Sequence, residues 1–123
     1  MNTAEEIELA DHNLAGALRH FAEHSPAGAV EERDGVIFFA GGHRYPGAYC
    51  NGVLRLDSAA DPATVLDLAR DFFVPRRRGY AVWIRDHADA DLEQEVRERG
   101  FFQRPPAEGM PGMVLSTQPA QAP

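Results

Sequence analysis

His20-Phe21-Ala22-Glu23-His24 sets two histidines one helical turn apart with a glutamate beside the second. At that spacing two imidazoles can hold zinc while the carboxylate acts as base, the pattern H-x-x-E-H of inverted zinc proteases. A third ligand would have to come from elsewhere, with Glu93 or Glu95 the carboxylates to propose. The same residues also suit the end of a helix, whose negative pole favours histidine. The histidines flank Phe21 and the helix stops at once, so no metal site is assigned.

His43, Arg44 and Tyr45 lie in a glycine-rich loop just before Cys50 and Asn51. They form the most polar and aromatic cluster near a strand end, where loops often bind ligands, so His43, Arg44, Tyr45 and Asn51 are the substrate or ligand candidates. A loop of this composition also serves simply as a connection. Cys50 as a nucleophile would need a base, and His43 is the local one; a buried structural cysteine is the simpler role. Arg76-Arg77-Arg78 could hold a phosphate or an acidic partner, or form a solvated bend making intramolecular pairs. Trp83 could stack on a ligand, but a central strand makes it core. Asp86-His87 with Asp89 and Asp91 could make a carboxylate–imidazole pair or an oxygen-ligand cation site, and helix capping accounts for the aspartates more simply. No catalytic residue is assigned.

The elements that must position these residues follow from periodicity. Thr3-Ala4-Glu5-Glu6 reads as a capping box. Ile7, Ala10, Leu14, Ala17 and Phe21 follow at helical steps, predicting a helix to about His24 with one buried face. Ala29–Arg33 and Val36–Ala40 flank Asp34-Gly35, a pair that tolerates positive φ at both positions and so favours a tight hairpin. Tyr49–Leu56 is the next strand. Asp61-Pro62 caps a helix whose Val65, Leu68, Ala69 and Phe72 line one face. Tyr80–Ile84 has the β-branched and aromatic content of a buried strand. Asp89 or Asp91 caps a short helix with Leu92 and Val96 four apart, and Gly100 ends it in a left-handed conformation. Phe101-Phe102 opens another strand and Met113–Ser116 is the last. The order α-β-β-β-α-β-α-β-β predicts an α/β domain, a central mixed sheet flanked by about three helices.

One domain, residues 1–116, is all that 123 residues allow, with 117–123 a linker or tail. The net charge of −7 argues against a general nucleic-acid binder. No apolar run approaches the ~20 residues of a membrane span. Cys50 is the only cysteine, which excludes an internal disulfide and fits a reducing compartment. The acidic N-terminus is unlike a secretory signal, so the expected location is cytoplasmic.

That element order resembles the Gcn5-related N-acetyltransferase (GNAT) fold with its first strand missing or unread. The matching features are a hairpin, a strand at Asn51–Leu56, a helix, the strand Tyr80–Arg85, a helix, and Gly100-Phe101 entering the closing strands. More narrowly, four phrases resemble the amino-terminal half of two-part bacterial acetyltransferases, which pair a degenerate domain with a downstream catalytic one. They are Pro46 to Asn51, Arg78-Gly79-Tyr80-Ala81-Val82-Trp83, Asp89 to Gly100, and Pro111-Gly112-Met113.

The resemblance implies a Gln/Arg-x-x-Gly-x-Gly/Ala loop between the strand and the following helix, whose backbone amides hold the acetyl-CoA pyrophosphate. The equivalent junction here is Asp57-Ser58-Ala59-Ala60-Asp61-Pro62, which has no glycine and carries two carboxylates where the anion would lie. The expectation is therefore a domain with no cofactor of its own, acyl transfer from acetyl-CoA to an amine belonging to a downstream GNAT domain. Its partner would be that domain or a second copy in a homodimer. Two alternatives stay open. One is a stand-alone binding or dimerisation module. The other is a small acetyltransferase in which Arg76-Arg77-Arg78-Gly79-Tyr80-Ala81, which fits the loop pattern, binds acetyl-CoA through Arg76, Arg78, Gly79 and Ala81.

Overall fold

The computed structural model describes residues 2–25, 28–41, 51–85, 88–104 and 113–116, with backbone alone for 102–104 and 113–116. Among these, the order is α1 (Thr3–Glu23), β1 (Ala29–Arg33), β2 (Val36–Ala40), β3 (Asn51–Arg55), α2 (Pro62–Phe73), β4 (Ala81–Ile84), α3 (Ala90–Glu98), β5 (Phe102–Arg104) and β6 (Met113–Ser116). The strands form one mixed sheet in the order β1-β2-β3-β4-β6-β5. β3 and β4 run parallel, joined through α2, and the other neighbours are antiparallel. The chain is thus an α/β domain.

Alternation along the strands divides the core in two. Val36, Phe38 and Ala40 of β2, with Val53, Val82 and Ile84, meet Val65, Leu66, Ala69, Phe72 and Phe73 of α2 and Leu92 and Val96 of α3. Ile37, Phe39, Leu54, Ala81 and Trp83 point to the opposite face, where Ala15, Leu18 and Ala22 of α1 cover them. Trp83 is core. The hairpin turns as its sequence requires, with φ of 52° at Asp34 and 78° at Gly35.

Two features of α1 differ from the sequence reading. Its N-cap is Asn2, whose Oδ1 accepts from the Glu5 amide at 2.8 Å while its Nδ2 lies 3.4 Å from Glu5 Oε1. The cap therefore starts one residue earlier than Thr3, and Glu5 meets the Asn2 side chain rather than its backbone amide. The buried face is also rotated: Ala15, Leu18 and Ala22 are buried, whereas Phe21 is 59% exposed and Ala10 and Ala17 face outward. Both stripes have helical spacing. The sheet face beneath α1 carries Phe39, Ile37 and Trp83, and small alanines let the helix approach such bulky neighbours closely.

Candidate functional site

The two central parallel strands each end in arginine, Arg55 on β3 and Arg85 directly after β4. Their carboxyl ends open toward the N-terminus of α3, the place in an open α/β sheet where ligands bind. Here that place is filled by the protein's own charges. Arg55 and Asp89 are both fully buried, and Arg85 is 9% exposed. Arg85 forks onto Asp89, with Nε to Oδ2 at 2.9 Å and Nη2 to Oδ1 at 3.1 Å, and its own backbone amide donates to the same carboxylate at 2.7 Å. Arg55 donates to Asp89 Oδ1 from Nε and Nη2 at 3.2 and 3.1 Å and forks onto Asp91 at 2.6 and 3.2 Å. The remaining donors reach the carbonyls of Ala60, Ala88 and Leu56, and Asp11 of α1 at 3.0 Å from Arg85.

Each buried cation thus meets carboxylates with near-complete hydrogen bonding, the condition under which buried charge is tolerated. Burial by itself lowers both guanidinium pKa values. The hydrogen bonds that Arg55 donates to Asp91 and Asp89, and Arg85 to Asp89 and Asp11, outweigh it and hold both above their ordinary value. The Arg55 hydrogen bond in turn holds Asp91 below the usual carboxylate range. The aspartates were expected to cap α3. Asp89 does stand at the N-cap position, but its side chain makes no cap hydrogen bond because two arginines claim it. Asp91 accepts from the Leu92 amide as well as from Arg55.

The junction from β3 to α2 is closed in the same manner. The amides of Leu56 and Asp57 donate to the Gly35 carbonyl at 2.8 and 3.1 Å, so the β1–β2 turn presses against the junction. Gly35 fits there without a side chain, since a Cβ would lie 2.4 Å from Asp57 Cβ. The Ala59 amide donates to Asp57 Oδ1, the Ala60 amide to the Asp57 carbonyl, and the Thr64 amide to Asp61 Oδ2. Asp61 caps α2 as its sequence predicts. The amides of Leu56, Asp57, Ala59, Ala60 and Thr64 thus already have acceptors, and two of those acceptors are carboxylates.

Outside this plugged junction, on the α1 side, lies an open groove of about 740 Å³ lined by residues that include Ile7, Asp11, Leu56, Asp57 and Arg85. Arg85 and Asp11 in its lining are held to each other, and Ser58, His12 and Glu8 line it as well, with His12 Nε2 3.8 Å from Glu8 Oε1.

Arg76–Ala81 occupies the opposite end of the parallel pair, after α2 and before β4. The Arg77 amide donates to the Val74 carbonyl at 3.0 Å and the Arg78 amide to the Phe73 carbonyl at 3.1 Å, with Arg77 at φ 56°. These are the two hydrogen bonds of a Schellman C-cap, with Arg77 in the left-handed position. The Arg76 amide also turns inward, to Phe73. Arg76 lies over the Phe72 ring with its Cζ 4.0 Å from the centroid and donates from Nη1 to the Phe72 carbonyl. Arg78 donates weakly to the Arg76 carbonyl at 3.4 Å, Gly79 is half-buried, and Ala81 is buried in β4, paired with Gly52.

Asn51 is buried at the start of β3, its Oδ1 accepting from the Gly41 amide. His43, Arg44, Tyr45 and Cys50 lie outside the described residues, as do Asp86 and His87. The His20 and His24 rings lie tilted at 34° with centroids 4.1 Å apart, and His24 Nδ1 faces the His20 carbonyl at 2.9 Å. Glu93 and Glu95 are engaged by Arg97 and Arg99. Among the described residues no three His, Cys, Asp or Glu side chains gather into a metal-holding group. No helix among them is long and apolar enough to cross a membrane.

Sequence reasoning passed over Arg55, Arg85 and Asp11. Arg55 was legible as an anomaly: a charge in the apolar run Val53-Leu54-Arg55-Leu56 at the end of a central strand. Arg85 ends the next parallel strand in the same way. Two such arginines ahead of an aspartate-rich helix start are the signal.

No family model, no curated protein and no solved structure matches this chain.

Proposed function

We propose that this chain is a GNAT-like domain that holds no acetyl-CoA and serves as the non-catalytic, amino-terminal half of an acetyltransferase. A downstream GNAT domain would carry out acyl transfer to an amine. The order of hairpin, strand, helix, parallel strand, helix and closing strands supports the fold assignment. The observation that carries the functional reading is the state of the Leu56–Thr64 amides. Gly35, Asp57 and Asp61 already accept from those of Leu56, Asp57, Ala59, Ala60 and Thr64, and the Arg55 guanidinium donates to the Ala60 carbonyl at the same junction. A pyrophosphate would have to displace those acceptors and approach Asp57 and Asp61. At ~4 Å each like-charge contact opposes binding by about 1 kcal/mol in water and several times that near protein.

The Arg76–Ala81 alternative meets a related obstacle. Its amides turn into the carboxyl end of α2, whose partial negative charge disfavours an anion. A stand-alone binding or dimerisation module is the second reading, favoured by Phe21 and Leu9 standing exposed on α1. In either case the compartment that fits is cytoplasmic.

Calorimetric titration with acetyl-CoA tests the assignment. The expected result is no saturable heat at ligand concentrations up to about 1 mM, the edge of measurable affinity. A micromolar Kd that disappears in Gly79→Asp overturns it and makes the chain an acetyltransferase in its own right.

A further inference from the structure

All twelve basic residues of the chain are arginines. Among those whose side chains are described, Arg19, Arg33, Arg55, Arg85, Arg97 and Arg99 each meet a carboxylate. Arg70, Arg76, Arg77 and Arg78 form no ion pair among the described residues, and they are neighbours at the end of α2. Residues 70–79 carry a net charge of +3 (four arginines against Asp71) in a chain of −7. Arg76 and Arg77 are exposed in the solvated bend that the sequence suggested, but the ion pairs expected with it do not form among the described residues. In their midst Val74 is 62% exposed.

Backbone geometry adds an independent sign. α2 and α3 end in the same Schellman motif. α3 places Gly100 in the left-handed position at φ 88°, with the Gly100 amide on the Arg97 carbonyl and the Phe101 amide on the Val96 carbonyl. α2 places Arg77 there at φ 56°. Glycine adopts this conformation without strain and arginine does not. Strain retained at an exposed turn is a mark of a side chain wanted for something other than folding. The Arg78 Nε is also buried without an acceptor among the described residues.

We propose that this turn is a docking surface for a carboxylate-rich polypeptide segment with an apolar residue, which sits on Val74 between Arg70, Arg76 and Arg77. The idea stands apart from the functional reading above. Charge complementarity selects an anion, and three observations select carboxylates on a polypeptide over phosphate. The amides of residues 76–78 face the helix, so no backbone nest exists for a phosphate. The chain's overall negative charge repels extended polyanions such as nucleic acid or an anionic membrane. An exposed valine offers an apolar contact that a phosphate cannot use.

The test is fluorescence anisotropy with a labelled peptide, Glu-Glu-Leu-Asp-Glu-Glu, at low salt. A Kd of roughly 10–100 μM is expected, weakening about tenfold when salt is raised to ~0.3 M. Arg77→Gly, which relieves the backbone and so keeps the fold, should weaken it about fivefold. Val74→Ser, or serine in place of the peptide leucine, should weaken it about threefold at unchanged charge. Circular dichroism of both variants checks folding. Absence of binding overturns the proposal. So does binding indifferent to both serine changes, which would be diffuse attraction only, or tighter binding of a single-stranded oligonucleotide of equal charge.

Discussion

Arginine has opposite fates at the two ends of the parallel β3–β4 pair. At the carboxyl end Arg55 and Arg85 lie buried among Asp11, Asp89 and Asp91, and their guanidinium donors meet carboxylates or carbonyls. At the amino end Arg76 and Arg78 lean on carbonyls and a phenyl ring, and no described carboxylate answers these two or Arg77. Burial makes the difference. A guanidinium withdrawn from water requires a partner, so the first group is a structural device that closes the crevice of the sheet. A guanidinium left in water requires none, and four gathered together keep their charge available to something outside the chain.

The most forceful way to break this contrast is to remove Asp89. Asp89→Ala leaves two buried cations without their shared counter-ion and should destabilise the domain by about 3–5 kcal/mol. Urea denaturation measures this, and a loss below about 1 kcal/mol would show that the network is not the closure inferred here. Arg70→Ser at the other end, exposed and without an ion pair among the described residues, should stay within about 0.5 kcal/mol of the parent.

Most of the secondary structure was legible because local chemistry specifies it. The Asp34-Gly35 turn, the Asp61-Pro62 cap and the Gly100 stop each act within a few residues, and β2 and β4 are apolar runs buried at every position. What the sequence withheld depends on distant neighbours. The rotation of α1 is decided by Phe39 and Trp83, which stand well downstream. The role of Asp89 is decided by Arg55, 34 residues earlier. A capping aspartate and an ion-paired one look alike until the parallel strands are laid side by side. His43, Arg44 and Tyr45 fall outside the described residues, so the ligand role read for that loop rests on the sequence alone.

The two Schellman caps sharpen the contrast further. A Cβ added at Gly100 would meet nothing within 4 Å, so Gly100→Ala isolates the conformational penalty and should destabilise by about 1 kcal/mol. Arg77→Gly removes the same penalty and should stabilise by a similar ~1 kcal/mol, less the entropy that glycine adds to the unfolded chain. Thermal unfolding of the pair reads both, with shifts of roughly 3 °C in opposite directions. If Arg77→Gly destabilises instead, the arginine serves the fold, and the docking surface loses its strongest support.

The smallest effect concerns acid. The hydrogen bond from Arg55 holds Asp91 below its usual value of 3.8 in the folded chain. Below that value the unfolded chain takes up the proton first, so stability falls as pH drops through the folded pKa. The Asp91 contribution is thus fully present above about pH 4 and lost beneath it. Because its side chain is 56% exposed, solvent screens the pairing and the contribution should stay under about 1 kcal/mol. Asp91→Asn should flatten the acid limb of a stability-against-pH curve by that amount, whereas Arg76→Ser, at the end without carboxylate partners, should leave the limb unchanged. An acid limb of equal slope in the parent and in Asp91→Asn would mean that Asp91 only decorates the edge of the network and that Asp89 alone closes it.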